Sequence, residues 1–169
     1  LLGEGEVDIT VTNTSGNYLS AADEENITAM IPDALGIMPV LKTRGPVMVG
    51  SQFEPEAEMA GIQLDFPEEF GTFYDWKTGE EMNITSYLTG NKSILLSSHL
   101  AKDLDLDKDT DFPVILNTEF YSITVTFTIN MTSGLPIITR NQTTIRTELS
   151  IEGVYDSNRP GIGSRYRGL

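Results

Sequence analysis

Two long stretches in the second half of the chain alternate apolar and polar residues with the period of a strand. Glu119 to Asn130, EFYSITVTFTIN, sets Tyr121, Ile123, Val125, Phe127 and Ile129 against Ser122, Thr124, Thr126 and Thr128, which predicts a long amphipathic strand. Thr143 to Asp156, TTIRTELSIEGVYD, alternates in the same manner through Ile145, Leu149 and Ile151, after an excursion through MTSGLPIITRNQ. With FPVILN before them, these segments predict an antiparallel β-rich lobe over about 112–156.

The first half is shorter in period. Val7, Ile9 and Val11 alternate within Glu6 to Thr12 and predict an opening strand. Ser20 with Asp23 three residues on has the spacing of a helix cap, so EENITAMI reads as a short helix that Pro32 stops. IMPVLKT and PVMVGSQ read as two strands broken at Arg44-Gly45-Pro46, and EMAGIQLD as another with Ile62 and Leu64 on one face. Residues 66–90 interrupt this order with Phe66, Phe70, Phe73, Tyr74, Trp76 and Tyr87 among acids and glycines. This aromatic insert reads as a loop or short helix pinned to the core, with exposed aromatics beside carboxylates as the alternative, a sugar or peptide contact. The pattern as a whole predicts an α+β fold. One lobe contains a βαβ unit, about 1–65 with 91–111, and the other is the β-rich lobe, all within a single domain of 169 residues.

Composition narrows the function. The formal charge is −14, from 25 acidic and 11 basic residues, so nucleic acid and anionic lipid surfaces are repelled on average. A salt-adapted source would favour the same surface. The chain has no cysteine, which excludes disulfides, thiol catalysis and cysteine-ligated zinc. Asn-x-Ser/Thr acceptors occur at Asn13, Asn26, Asn83, Asn91, Asn130 and Asn141, six of the nine asparagines, where random placement gives about 1.7. Threonine-rich β proteins accumulate such triplets by chance; the excess favours a glycosylatable exterior surface. No apolar run of 18 residues is present, and LLGEGE lacks the features of a signal peptide, so the chain as given reads as soluble, as would an ectodomain cut from its anchors.

Candidate chemistry is sparse. Asp103, Asp105, Asp107, Asp109 and Asp111 occupy every second position, yet an EF-hand needs Gly at its sixth position and Glu at its twelfth. Lys108 and Val114, or Thr110 and Leu116, stand there instead. A looser calcium site is the alternative to the reading preferred here, in which Leu104 and Leu106 are core residues with solvated acids between them. His99, the one histidine, leaves only a Ser-His pair with Ser97 or Ser98 to consider. No nucleophile elbow, Walker loop or dinucleotide fingerprint is present, and 25 acids always supply some carboxylate pair, so catalysis by this domain is not expected. The tail SNRPGIGSRYRGL carries Arg159, Arg165 and Arg167 as a basic loop on an acidic domain. These arginines, with Phe73, Tyr74 and Trp76, are the candidate partner contacts, and an unstructured end is the plainer expectation for the tail.

ILLSSHLAKDLDLDKDTDFPVIL, followed by LSIEGVYD, resembles the extracytoplasmic, periplasmic-core-type domain of MacB-like and FtsX-like ABC transporter permeases. GEVDITV looks like the strand that follows the first membrane helix in that family, and MAGIQLD like its v.Gid strand. In that frame Ile94 to Leu96 is a strand, Ser98 to Leu104 a short helix packing through Leu100, Ala101 and Leu104, and Asp105 to Asp111 the turn into the next strand. Lys108-Asp109-Thr110-Asp111 departs from the family's Gly-Asp turn, and Leu169 falls before any return to the membrane. The resemblance implies a non-catalytic ectodomain without cofactor, on the extracytoplasmic face of the membrane. Its implied partners are the membrane-embedded remainder of the permease, a cytoplasmic ATPase subunit and a substrate or envelope protein, within a homodimeric complex. A free-standing acidic surface glycoprotein domain, or a carboxylate hydrolase, are the competing classes.

Overall fold

A computed structural model describes residues 9–13, 18–130 and 132–166. The α+β class expected from the pattern holds: short helices accompany one five-stranded sheet and a separate two-stranded ribbon. Residues 9–12, the described part of the expected opening strand, lie outside any strand, and residues 6–8 fall outside the described residues.

Helix α1, Ala21–Met30, begins as its sequence predicts. Ser20 and Asp23 form a reciprocal capping box, which satisfies two of the N–H groups that a helix start leaves without partners. Hydrogen bonds from the Ser20 side chain and backbone hold the Asp23 carboxyl below its ordinary pKa. None of the helix's residues is buried.

Strands β1, Val40–Val49, and β2, Gln52–Ile62, form an antiparallel hairpin across Gly50, which takes the positive φ (57°) that this tight turn requires. The break expected at Arg44-Gly45-Pro46 is instead a register shift inside one continuous strand. Proline lacks the N–H that a ladder uses, so it is tolerated at such a bulge, and buried Thr118 donates its hydroxyl to the Pro46 carbonyl at 2.8 Å. Leu64 lies past the end of β2 and is exposed. Glu58 on β2 pairs with Lys42 and Arg44 of β1. Burial alone raises its pKa, but the hydrogen bonds and charges of the two cations outweigh it, and the carboxyl titrates below its ordinary value.

The aromatic insert is more ordered than a loop. After a 3₁₀ turn at Glu68–Phe70 it contains β3, Phe73–Tyr74, paired antiparallel with β4, Glu81–Met82, and then α2, Ile84–Tyr87. Strand β5, Ser93–Ser97, runs directly into α3, Ser98–Asp103, and β6, Val114–Ile129, and β7, Pro136–Tyr155, complete the sheet. Its order is β2-β1-β6-β7-β5, so strands from both expected lobes pair in one sheet. β5 lies parallel to β7 and the other pairs are antiparallel, so the crossover from β5 to its parallel neighbour passes through α3 and β6.

Helix α3 packs on the sheet through Leu100, Ala101 and Leu104, as its frame predicts, beside Val47, Leu96, Leu116, Ile151 and Val154. The aspartate comb is the end of this helix. Asp105 adopts φ 58°, and the N–H groups of Asp105 and Leu106 bond back to the carbonyls of Lys102 and Ala101, the reciprocal pair of a Schellman stop. Leu104 and Leu106 are buried and the acids between them exposed, while the Asp107 carboxylate accepts from the Asp109 N–H and the Thr110 hydroxyl. Among the described residues no cluster of acids or His has metal-binding geometry.

Two buried serines hold α3 in place. Ser97 caps it by accepting from the Leu100 N–H, and the Ser98 hydroxyl lies 3.0 Å from that of Ser157 while accepting from the Ser157 N–H. Ser98→Ala should therefore cost about 1–3 kcal/mol in a urea titration, because it strands a buried donor. A change below about 0.5 kcal/mol would show that this bond adds nothing.

The largest difference from the periodicity lies in β6 and β7. β6 pairs with β7 along the whole of its length, yet β1 is in register with β6 only at Val47 and Met48, and β5 pairs with β7 only from Ser150 onward. Beyond that point the two strands leave the sheet as an unaccompanied ribbon, and the excursion expected through MTSGLPIITRNQ is mostly strand: only the turn around Gly134 interrupts the pairing, and β7 already begins at Pro136. The apolar side of the amphipathic strand is solvent-exposed in this ribbon: Val125 is 47%, Phe127 71% and Ile129 67% accessible.

Candidate interaction surface

The β3–β4 ribbon docks on the end of β7, beyond the point where β6 begins. The Trp76 N–H donates to the Val154 carbonyl at 3.0 Å and the Asp156 N–H to the Tyr74 carbonyl at 2.7 Å. The Asp75 carboxylate then folds the turn by accepting from the N–H groups of Lys77 and Thr78. Side chains alternate across such a strand, so Phe73 and Tyr74 point opposite ways, while Trp76, in the turn that follows, packs against the edge of the first apolar cluster.

Phe73 is a core residue, which corrects its place among the partner contacts. Its ring is buried edge-on against Tyr155, with centroids 5.1 Å apart, and against Phe66 at 6.3 Å, in a second apolar cluster with Met82, Ile84 and Ile162. An aromatic beside β-branched and glycine neighbours gives no sign in sequence of which face it will take.

Tyr74 and Trp76 stay half-exposed, and each carries cations. The Arg159 guanidinium lies 3.6 Å from the Tyr74 ring centroid and donates to the Gly79 carbonyl. Lys102 and Lys108, from the two ends of the aspartate comb's first turn, approach the Trp76 ring at 5.8 and 5.7 Å. The structure thus joins Tyr74 to Arg159 as one unit and adds two lysines that sequence reasoning passed over. Their signal was present: Lys102 precedes the run of aspartates and Lys108 interrupts it. The side chain of Arg165 and the whole of Arg167 fall outside the described residues.

Stacked cations on aromatic faces contribute about 0.5–1 kcal/mol each at exposed sites. Arg159→Ala should lower stability by about 1 kcal/mol, and Arg159→Lys should recover only part of it, because an ammonium cannot lie flat on the ring. Full recovery by lysine would show that charge, not stacking, sets the contact; thermal unfolding of the three proteins decides it.

The glycosylation acceptors are spread over the surface. Asn26 lies on α1, Asn91 before β5 and Asn141 on β7, all exposed, while Asn13 is half-buried. Asn83 caps α2, accepting from the Thr85 hydroxyl at 2.6 Å, and Asn130 closes the ribbon tip by accepting from the N–H groups of Thr132 and Ser133. His99 is exposed and lies 3.9 Å from Asp103, whereas the Ser97 and Ser98 hydroxyls are buried in structural bonds.

No protein-family model matches the chain, and no curated protein matches it. No helix among the described residues is long and apolar enough to cross a membrane.

Proposed function

We infer that this chain is the extracytoplasmic domain of an ABC transporter permease of the MacB-like and FtsX-like kind, a non-catalytic module that links ATP-driven motion of the membrane part to an exported substrate or envelope partner. One observation carries this reading. The two segments that resemble the family, ILLSS and LSIEGVYD, lie side by side as parallel strands, with α3 packed through Leu100, Ala101 and Leu104 on the sheet they share. The Schellman stop at Asp105 supports it further, since it ends α3 and turns the chain toward β6 at the start of the stretch that this frame assigns to the turn. In this reading the partners are the membrane-embedded remainder of the permease and a cytoplasmic ATPase subunit. The exposed acceptors at Asn26, Asn83, Asn91, Asn130 and Asn141 suit the outer face of the membrane, where glycans are attached.

The test is to sequence the coding region on both sides of the fragment. One membrane helix before Leu1, three after Leu169 and an adjacent ATPase gene are expected. A single anchor, or none, would overturn the reading. It would leave an acidic surface glycoprotein domain, the second reading that the exposed acceptors favour.

A further inference from the structure

We propose that the β6–β7 ribbon is a dimerisation arm, which reaches across to a second copy of this chain and packs its apolar face on the sheet surface around Met48, Phe53 and Ile115. The proposal does not depend on the permease reading. Cross-strand partners in an antiparallel ribbon share a face, so Val125 with Arg140, Phe127 with Ile138 and Ile129 with Pro136 form one exposed side. The opposite side is mostly polar, with Thr124 and Asn141, Thr126 and Thr139, and Ile137 beside Thr128 as its apolar residue toward the tip. The acceptor Asn141 thus lies on the threonine side, and a glycan there leaves the apolar side free. A two-stranded ribbon has little stability alone, and an apolar face of this size on a solvated arm marks a contact surface.

Charge identifies the occupant. From Phe120 to Thr147 there is no acidic residue and two arginines, in a chain of −14; Arg146 is paired with Glu119 at the arm's base, so Arg140 is the charge carried out along an arm otherwise free of charge. The complement of the arm is therefore the acidic body of the same protein, and an anionic bilayer would repel that body. The receiving surface is on the page as well. Register places Phe53, Met48, Asn117 and Glu148 in one row across the sheet, with Ile115 two residues from Asn117 on the same face. Phe53, Met48 and Ile115 are exposed, and exposed Glu148 stands in that row as Arg140 stands within the arm's apolar side.

Area selects reciprocal exchange over arm against arm. Nine residues of two-stranded ribbon present a face of about 30 Å by 10 Å, or roughly 300 Å². Arm against arm covers two such faces, about 600 Å², which is below the size of a specific interface, whereas two reciprocal arm-to-body contacts cover four, about 1,200 Å².

Sedimentation equilibrium of the whole chain over a wide concentration range tests this. A dimer is expected that weakens with added salt. Phe127→Asp in the arm and Phe53→Asp on the receiving row, both at exposed positions, should each raise its dissociation constant at least about tenfold. Arg140→Glu should weaken it too, and adding Glu148→Arg to that variant should restore it. A monomer at every concentration, a dimer indifferent to Phe127→Asp, or loss with Phe127→Asp but not with Phe53→Asp would each overturn the proposal. So would flotation of the monomer with phosphatidylcholine vesicles that Phe127→Asp abolishes, which would make the bilayer the occupant.

Discussion

Leu104→Ala is expected to cost about 2–5 kcal/mol, a large fraction of the roughly 5–15 kcal/mol that holds an ordinary domain folded. Leu104 is 1% exposed and sits where three demands meet. Its side chain fills the space between α3 and the sheet, its N–H closes the last turn of the helix on Leu100, and the next residue turns the chain into the left-handed region. Truncation leaves a cavity under a helix of six residues that has little propensity to hold itself together, so little of the lost contact is recovered by relaxation. Asp105→Gly should act in the opposite direction. Its φ of 58° costs a residue with a Cβ about 1 kcal/mol, and glycine removes that cost while leaving the two backbone bonds of the helix stop in place. Urea unfolding followed by circular dichroism measures both. A loss under about 1 kcal/mol for Leu104→Ala, or destabilisation by Asp105→Gly, would mean that the comb is held by its carboxylates and not by the leucines between them.

The comb shows what a sequence makes legible. Alternating leucine and aspartate identified Leu104 and Leu106 as core residues because burial and charge are opposed at every step, and the capping box of α1 was readable because it is local. The ribbon was not readable from period alone. Alternation fixes which residues share a face, so Phe127 and Ile129 do lie together. Whether that face is covered depends on what packs over it, and β6 leaves the rest of the sheet, its pairing with β1 ending at Thr118. The absence of acids from Phe120 to Thr147 was a second signal that the period could not carry. At the aromatic insert, Tyr74, Trp76 and Arg159 were recognisable as candidates, yet Lys102 and Lys108 reach Trp76 only through the tertiary contact of α3 with the β3 region. Phe73 went to the core for the same reason, since the side of β3 that faces inward is set by its pairing with the end of β7.

That pairing makes Gly161 the second position of large expected effect. At φ 141° it occupies backbone space that residues with a Cβ rarely enter, and an added Cβ would lie 2.6 Å from the Thr72 carbonyl oxygen and 3.3 Å from the Tyr74 ring. Neither neighbour yields cheaply. The Thr72 carbonyl belongs to the chain entering β3, which is fastened to β7 by the bonds at Tyr74 and Trp76, and Gly161 is followed by fully buried Ile162. Torsional strain of about 1–3 kcal/mol and overlap of about 1–3 kcal/mol together predict a loss of about 2–6 kcal/mol for Gly161→Ala. Gly134 at the ribbon tip provides the control, because it too has positive φ, 71°, but an added Cβ there meets nothing within 4 Å. Gly134→Ala should therefore show the torsional cost alone, about 1 kcal/mol. Equal losses at the two sites in thermal unfolding would mean that the segment around Ile162 shifts to admit the methyl group, so that the C-terminal turn is only loosely bound to β3. A clearly larger loss at Gly161 would show that this turn, with Arg159 stacked on Tyr74, is locked to the sheet through the end of β7.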